Sequence, residues 1–338
     1  VNASVVVDLA LVGVAVVALW GGSRLFVDGA VDLARRLGLS ELVIGLTVVA
    51  VGTSLPELVV TIDAALLGRG DLAVGNVIGS DIYNTAVILG VVTLVRSIPI
   101  SRELVRRDGL VLLGTVALLL GITWDLRVSR LEGALLLALF VGYLLLLFRL
   151  APGDSAASNA TPDDRSDGSI EGPSAASPTP NPSNPSDGTS GGRGPLDVAL
   201  LLVGLAVVVG GGHLLVGSAV SLARDAGVSE WIIGATVVAA GTSTPEFAVS
   251  LVALARGQTN VSVGNVIGSN VFNVLGVLGV AAAIAPLSVS PAAFDSALWL
   301  LGLVVLLVAA LWSGRRLSRP EGGLLVGTEV IRWVLGFR

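Results

Sequence analysis

The chain alternates between long apolar runs and short polar breaks. Read between charged residues or Gly/Pro interruptions, the runs fall at 8–27, 43–67, 73–95, 109–124 and 131–148, and again at 197–219, 231–255, 261–285, 296–312 and 321–337. A run of about 20 residues crosses roughly 30 Å of hydrocarbon as helix, while a spanning strand needs only about half that length. The pattern predicts an all-α polytopic membrane protein with ten transmembrane helices and the lipid bilayer as its surroundings. One stretch, 151–195, departs from it. Ser, Pro, Gly, Asn and Asp dominate there, a composition that cannot bury enough apolar surface to order itself, so a disordered loop is expected.

The two sets of five runs are copies of each other. Asp8 falls on Asp197, a shift of 189 residues, and at the same shift Gly21-Gly22 falls on Gly210-Gly211, Ser40-Glu41 on Ser229-Glu230, and the block 45–90 on 234–279 without a gap. The organisation expected is a first five-helix repeat at 1–150, the loop at 151–195 and a second five-helix repeat at 196–338. With an odd number of crossings per copy, the second copy enters the membrane from the opposite side, so the repeats are inverted. Arginine sets the orientation. Eleven arginines flank the runs on the loop's side and two more lie within it, against six on the other side, which predicts a cytoplasmic loop and an outside N-terminus in the plasma membrane.

Composition narrows the chemistry. Hydrophobic residues make up 53% of 338 positions, charged residues 13%, and the mean hydropathy is +0.88, outside the balance of a soluble domain. There is no cysteine, which excludes disulfides, thiolate metal sites and cysteine nucleophiles, and a single His213, which excludes a histidine metal site. A net charge of −5 gives no sign of nucleic-acid binding. Met is absent even at position 1, so the sequence leaves room for a leader ahead of Val1.

The most similar parts of the copies are Gly52-Thr53-Ser54-Leu55-Pro56-Glu57 and Gly241-Thr242-Ser243-Thr244-Pro245-Glu246, each inside a long apolar run. Proline removes a backbone donor and clashes with the preceding turn, so helices 2 and 7 should break there. Freed carbonyls and the hydroxyls of Thr53, Ser54, Thr242 and Ser243 would then surround Glu57 and Glu246. The same spacing also fits a plain helix-capping box. An acid at mid-span costs roughly 2.5–3.5 kcal/mol on insertion scales, however, so two at equivalent depth imply a use. The next run carries Gly75-Asn76-Val77-Ile78-Gly79-Ser80-Asp81-Ile82-Tyr83-Asn84, repeated as Gly264-Asn265-Val266-Ile267-Gly268-Ser269-Asn270-Val271-Phe272-Asn273. On a helix Ser80 and Asn84 share a face, as do Ser269 and Asn273. The Gly75/Gly79 and Gly264/Gly268 spacings let backbones approach closely. The bland alternative is polar glue between helices. Two carboxylates among neutral oxygens, with no sulfur or imidazole, suit hard cations such as Ca²⁺, Na⁺ or Mg²⁺. Two glutamates neutralise one Ca²⁺ or a group of Na⁺ ions but not both at once, the mutual exclusion that exchange requires.

These paired stretches resemble the α-repeats of the calcium/cation antiporter superfamily, and most of all its sodium/calcium exchanger branch. The resemblance implies an antiporter that exchanges Ca²⁺ for Na⁺ by alternating access, with the two cations as its partners and no cofactor. It implies Glu57 and Glu246 as central metal ligands, joined by Thr53, Ser54, Ser80 and Asn84 and by Thr242, Ser243, Ser269 and Asn273. The backbone carbonyls of Ala50 and Ala239 would also face ions. Segments 1 and 6 would slide past the core, a motion suited to Gly21-Gly22 and Gly210-Gly211-Gly212. Two positions depart from the family: Asp81 stands where Asn is usual, and Asn273 where some archaeal and potassium-dependent relatives have Asp. The second argues against potassium dependence. Asp81 is expected in a vestibule or behind the ligands, tuning affinity as a secondary residue.

Other polar residues have plainer expected places. Asp63 aligns with Val252 and should line a surface, His213 should be interfacial, and Trp20 and Trp124 should anchor the interface. Glu329 and Arg332 lie in the tenth run and must pair with each other or with neighbours. Among competing functions, a channel would pass calcium without a counter-ion, and an intramembrane protease needs a second aspartate that Asn270 does not supply. An enzyme is therefore not expected, and Ca²⁺/H⁺ antiport is the main alternative. Deleting 151–195 should leave exchange largely intact. Lost transport, or protease cleavage of this loop from outside intact cells, would contradict its reading as a cytoplasmic tether.

Overall fold

The computed structural model describes residues 3–99, 104–149, 194–227, 239–314 and 316–336. The expected loop lies outside them except for its last two residues, and so does 231–238 of the seventh run. Segment 1 is one helix, Ala3–Leu37. Segment 2 strings together Glu41–Ile44, a π-helical turn Gly45–Val49 and Ala50–Thr53, then breaks at Ser54 and continues as Leu55–Leu66. Segment 3 runs through Gly70–Ile82, a π-helical turn Tyr83–Ile88 and Leu89–Val95. Segment 4 joins Leu104–Asp108 to Gly109–Ile122, and segment 5 is Arg130–Arg149. In the second copy segment 6 is Gly194–Asp225, and segment 7 is described as Ala239–Thr242 and Thr244–Ala255. Segment 8 runs through Thr259–Phe272, a π-helical turn Asn273–Leu278 and Gly279–Ile284. Segments 9 and 10 are Pro291–Gly314 and Arg319–Gly336.

Six helices among the described residues are long and apolar enough to cross a bilayer alone, and the bent pair of segment 2 makes a seventh. The others are shorter or carry charge, as in segment 4, which opens on Arg106, Arg107 and Asp108. Segments 1 and 6 overrun the apolar runs at both ends, since a helix continues through the interface wherever long side chains can reach water. Exposure follows position. Segment 1 turns Val6, Val7, Val14 and Val17 outward, whereas segments 3 and 8 are the most buried spans. In a bilayer an outward valine is solvated by lipid, so this exposure is no defect. Trp124 is exposed and meets Phe294 edge-on, and Trp20 lies under Arg24 at 4.6 Å, as interface anchors do.

Two apolar cores result. The larger joins segments 3, 4, 5, 8 and 9 with parts of 2, 7 and 10. The smaller holds segments 1 and 6 against one face of 2 and 7. Segments 1 and 6 run antiparallel at near-backbone contact. A Cβ at Gly29 would lie 2.7 Å from the Leu201 nitrogen, and one at Gly22 would lie 2.8 Å from Val207, while Gly204 faces the Phe26 backbone. These small residues therefore fasten segment 1 to segment 6. Gly211 likewise faces Ala18 and Leu19, and only Gly212 of the glycines expected to ease sliding faces the core, at Pro245.

Outside the helices, two short ladders close the molecule. Ile98–Pro99 pairs antiparallel with Arg316–Leu317, and Arg127–Val128 with Leu287–Ser288. At the 189-residue shift these are one ladder seen twice, each joining the 3–4 loop of one copy to the 4–5 loop of the other. Equivalent caps accompany them. Ser129 and Glu132 form a reciprocal capping box at segment 5, and at segment 10 the Ser318 N–H and hydroxyl both donate to Glu321 Oε2. Arg130 donates to the Ile284 carbonyl that ends segment 8, and Arg319 to the Val95 carbonyl that ends segment 3, both at 3.1 Å. Gly204→Val should wedge segments 1 and 6 apart and lower the melting temperature of the detergent-purified protein by about 5 °C or more. Gly13→Val, on an exposed face with no neighbouring atom within 4 Å, should leave it unchanged. Equal melting temperatures would refute this packing.

Candidate functional site

Both breaks have the geometry that the sequence demands. Ser54 has φ −84° and ψ 13°, and Ser243 φ −86° and ψ 10°, each ending one short helix and opening the next with proline in its first turn. The halves of segment 2 bend by 49°. Pro56 has no N–H to offer the preceding turn, so the chain turns and Glu57 lands in the first turn of Leu55–Leu66, where the helix dipole favours an anion. Glu246 occupies the same place in Thr244–Ala255. Both carboxylates are completely buried.

Neither serine caps its own helix. Ser54 Oγ instead donates to Glu246 Oε1 at 2.8 Å, and Ser243 Oγ donates to Glu57 Oε1 at 3.1 Å. The capping-box alternative is thereby displaced by a crossed arrangement in which each copy's hydroxyl serves the other copy's acid. Thr53 lies beside Glu246 and Thr242 beside Glu57 in the same sense. The Thr53 hydroxyl, with one proton to give, also lies within reach of the Val49 and Ala50 carbonyls and Asn265 Oδ1, at 3.2, 3.3 and 3.1 Å. The Ala50 carbonyl further accepts from Ser269 Oγ at 3.4 Å, which ties segment 2 to segment 8. Gly268 makes that approach feasible, because a Cβ there would lie 2.6 Å from the Leu46 carbonyl oxygen. Ala239 opens the short helix Ala239–Thr242. At Gly75 and Gly79 an added Cβ would meet nothing within 4 Å among the described residues.

Asn84 is the second residue of the π-helical turn Tyr83–Ile88 in segment 3, and Asn273 opens the turn Asn273–Leu278 in segment 8. Asn84 donates to Asn270 Oδ1 at 3.1 Å and Asn273 to Asp81 Oδ1 at 3.0 Å. Asp81 is not in a vestibule. It is fully buried, directly behind Asn273, because the side chain projects from segment 3 into segment 8. Among the described residues, no three His, Cys, Asp or Glu side chains gather around one point as a metal cluster, so Asp81 does not join both glutamates in one. Glu57 Oε2, Glu246 Oε2, Ser80 Oγ, Asn84 Oδ1, Asn273 Oδ1 and Asp81 Oδ2 are all buried without a hydrogen-bond partner. A buried oxygen in that condition costs on the order of 1–3 kcal/mol, more when charged.

Two further residues escaped the sequence reading. Asn76 donates to the Glu57 carbonyl at 3.3 Å and to Thr61 Oγ1 at 2.9 Å, and Asn265 donates to the Glu246 carbonyl at 3.3 Å and to Ser250 Oγ at 2.9 Å. These amides brace the segments just beyond each break. Their presence at the same place in both copies was the only signal available. Asp63 and His213 are exposed, and Glu329 is buried in a pair with Arg332 at 2.8 Å.

A family model described as sodium/calcium exchanger protein matches residues 7–149 and 196–328. The chain belongs to the sodium/calcium exchanger family. The exchanger is thus a multi-pass membrane antiporter of cations, and both broken helices lie inside the matched blocks while 150–195 lies outside them. It is 37% identical to the CaxA antiporter of Alkalimonas amylolytica, over 94% of this chain and 93% of that one. It is 30% identical to the sodium/calcium exchanger MaX1 of Methanosarcina acetivorans, over 90% and 91%. A structure of the sodium-calcium exchanger NCX_Mj soaked with 10 mM Na⁺ and zero Ca²⁺ superposes with a TM-score of 0.80 at 29% identity, covering 98% of this chain and 99% of that one. The exchanger therefore shares that all-helical inverted-repeat fold.

Proposed function

We propose that this antiporter exchanges Ca²⁺ for Na⁺ across the plasma membrane by alternating access at one shared site. The crossed pairing carries the reading: Ser54 with Glu246 and Ser243 with Glu57, each acid keeping one buried oxygen without a partner. A site assembled from both copies exists only when both broken helices meet, so moving one part of the molecule opens it to one side at a time. Glu57 and Glu246 supply two charges. Thr53, Ser54, Ser80, Asn84, Thr242, Ser243, Ser269 and Asn273 supply neutral oxygens, with carbonyls from Ala50 and Ala239. This all-oxygen set suits calcium and sodium, and the charge of the two acids is met by one Ca²⁺ or by several Na⁺ but not by both. The names of MaX1 and NCX_Mj support sodium as the coupling ion. The arginine bias supports a cytoplasmic 151–195 between repeats at 1–150 and 196–338.

Calcium uptake into vesicles under imposed sodium, potassium or proton gradients tests the coupling. Sodium alone should drive it; uptake driven by a pH gradient without sodium would make this a Ca²⁺/H⁺ antiporter instead. Glu57→Gln and Glu246→Gln should each reduce sodium-driven calcium flux by about a hundredfold or more while inserting normally, since each removes half of the site's charge. Near-native flux in either variant would defeat the shared site.

A further inference from the structure

Internal symmetry fails at two adjoining places beside Asn84 and Asn273. Positions 81 and 270 are equivalent, yet one is Asp and the other Asn; positions 85 and 274 are equivalent, yet one is Thr and the other Val. All four side chains are buried. Around Asn84, the amide donates to Asn270 Oδ1 at 3.1 Å, and Asn270 in turn places its own amide hydrogens on Thr85 Oγ1 at 2.6 Å and on the Asp81 carbonyl at 3.5 Å. Around Asn273, the amide donates to Asp81 Oδ1 at 3.0 Å. Where a threonine would complete the same pattern stands Val274, which offers no side-chain acceptor.

A carboxamide has a donor end and an acceptor end of nearly equal shape. Which end faces a cation decides whether it binds or repels it. Tying Nδ2 to a fixed acceptor leaves only oxygen to point elsewhere, and the Oδ1 atoms of both Asn84 and Asn273 are buried without a partner. The residue behind each asparagine must therefore accept and must not donate toward it. Asn270 meets that need because Thr85 takes its NH₂ group. An asparagine at 81 would have its NH₂ beside Val274 with no side-chain acceptor there, and a buried donor left unpaired costs more than a hydrogen bond contributes, so either amide is free to turn over. A carboxylate carries no such donor.

We infer that Asp81 and Asn270 are positioning residues, each holding the carboxamide of the other copy's asparagine, Asn273 and Asn84, with its oxygen toward the cations. Asp81 is acidic because Val274 removes the acceptor that an amide would need. This deepens the proposed site and rests on Asn84 and Asn273 being ligands there.

The test uses the full chain, with two readouts: calcium affinity and maximal rate of gradient-driven uptake in vesicles, and the calcium-induced rise in melting temperature in detergent. Asp81→Asn should weaken apparent calcium affinity about tenfold with little change in maximal rate, and shrink the melting shift in parallel. Adding Val274→Thr rebuilds the Asn270–Thr85 pattern and should restore affinity to within about twofold of native. Asp81→Leu, with no acceptor at all, should not be rescued by Val274→Thr. Native affinity in Asp81→Asn, or a double variant no better than the single, would overturn the inference. If Asp81→Asn does not fold, the double variant decides alone: native affinity upholds the inference and weakened affinity overturns it. A native protein that neither transports calcium nor is stabilised by it would instead overturn the site itself, and this inference with it.

Discussion

Two carboxylates at the centre of a bilayer-spanning bundle have to be met by something, and every other feature of the polar core follows from how they are met. Burial makes each glutamate costly unless its lone pairs find donors or a cation. The donors come from across the pseudo-symmetry, Ser54 to Glu246 and Ser243 to Glu57. At the break each acid takes its serine donor from the other copy, which ties the copies together there, and Oε2 of each acid is left buried without a partner. Breaking the helices is what places these groups at one depth. An unbroken helix would have used the serine hydroxyls and nearby carbonyls within its own turns.

Holding such a site demands rigidity around it and mobility beside it. Segments 3 and 8 are the most buried spans and carry the asparagines, and the paired ladders and arginine caps stitch each copy's loops to the other's. Segments 1 and 6 stand apart in a smaller core, fastened to each other at glycine contacts. A pair bound more intimately to itself than to its neighbours can move as a unit. That division matches alternating access, in which one body moves against another around a fixed site.

Much of this was legible in the sequence because its causes are local or periodic. Proline and glycine announce helix breaks within a few residues, apolar run length announces spans, and a constant shift of 189 residues announces the repeat. The crossed pairing was not legible. Ser54 and Glu57 have the spacing of a capping box, and spacing can speak only for neighbours along a helix, whereas the real partners are 186 and 192 residues apart. Asn76 and Asn265 stood in quoted motifs without a role, because bracing a distant carbonyl leaves no local mark. Asp81 was expected in a vestibule or behind the ligands, from its place three residues before Asn84 and the neutral Asn270 at the equivalent position. Its burial follows from the packing of segment 3 on segment 8, and two-residue ladders are too short to show alternation.

Mutual exclusion at a single site is the central claim, and equilibrium binding tests it without relying on transport. Radioactive calcium bound to the purified native protein in detergent should fall to zero as sodium is raised, with the apparent calcium affinity decreasing continuously and the number of calcium sites unchanged. Calcium that stays bound at saturating sodium would mean separate sites for the two ions, and would contradict an exchange mechanism built on one pair of shared glutamates.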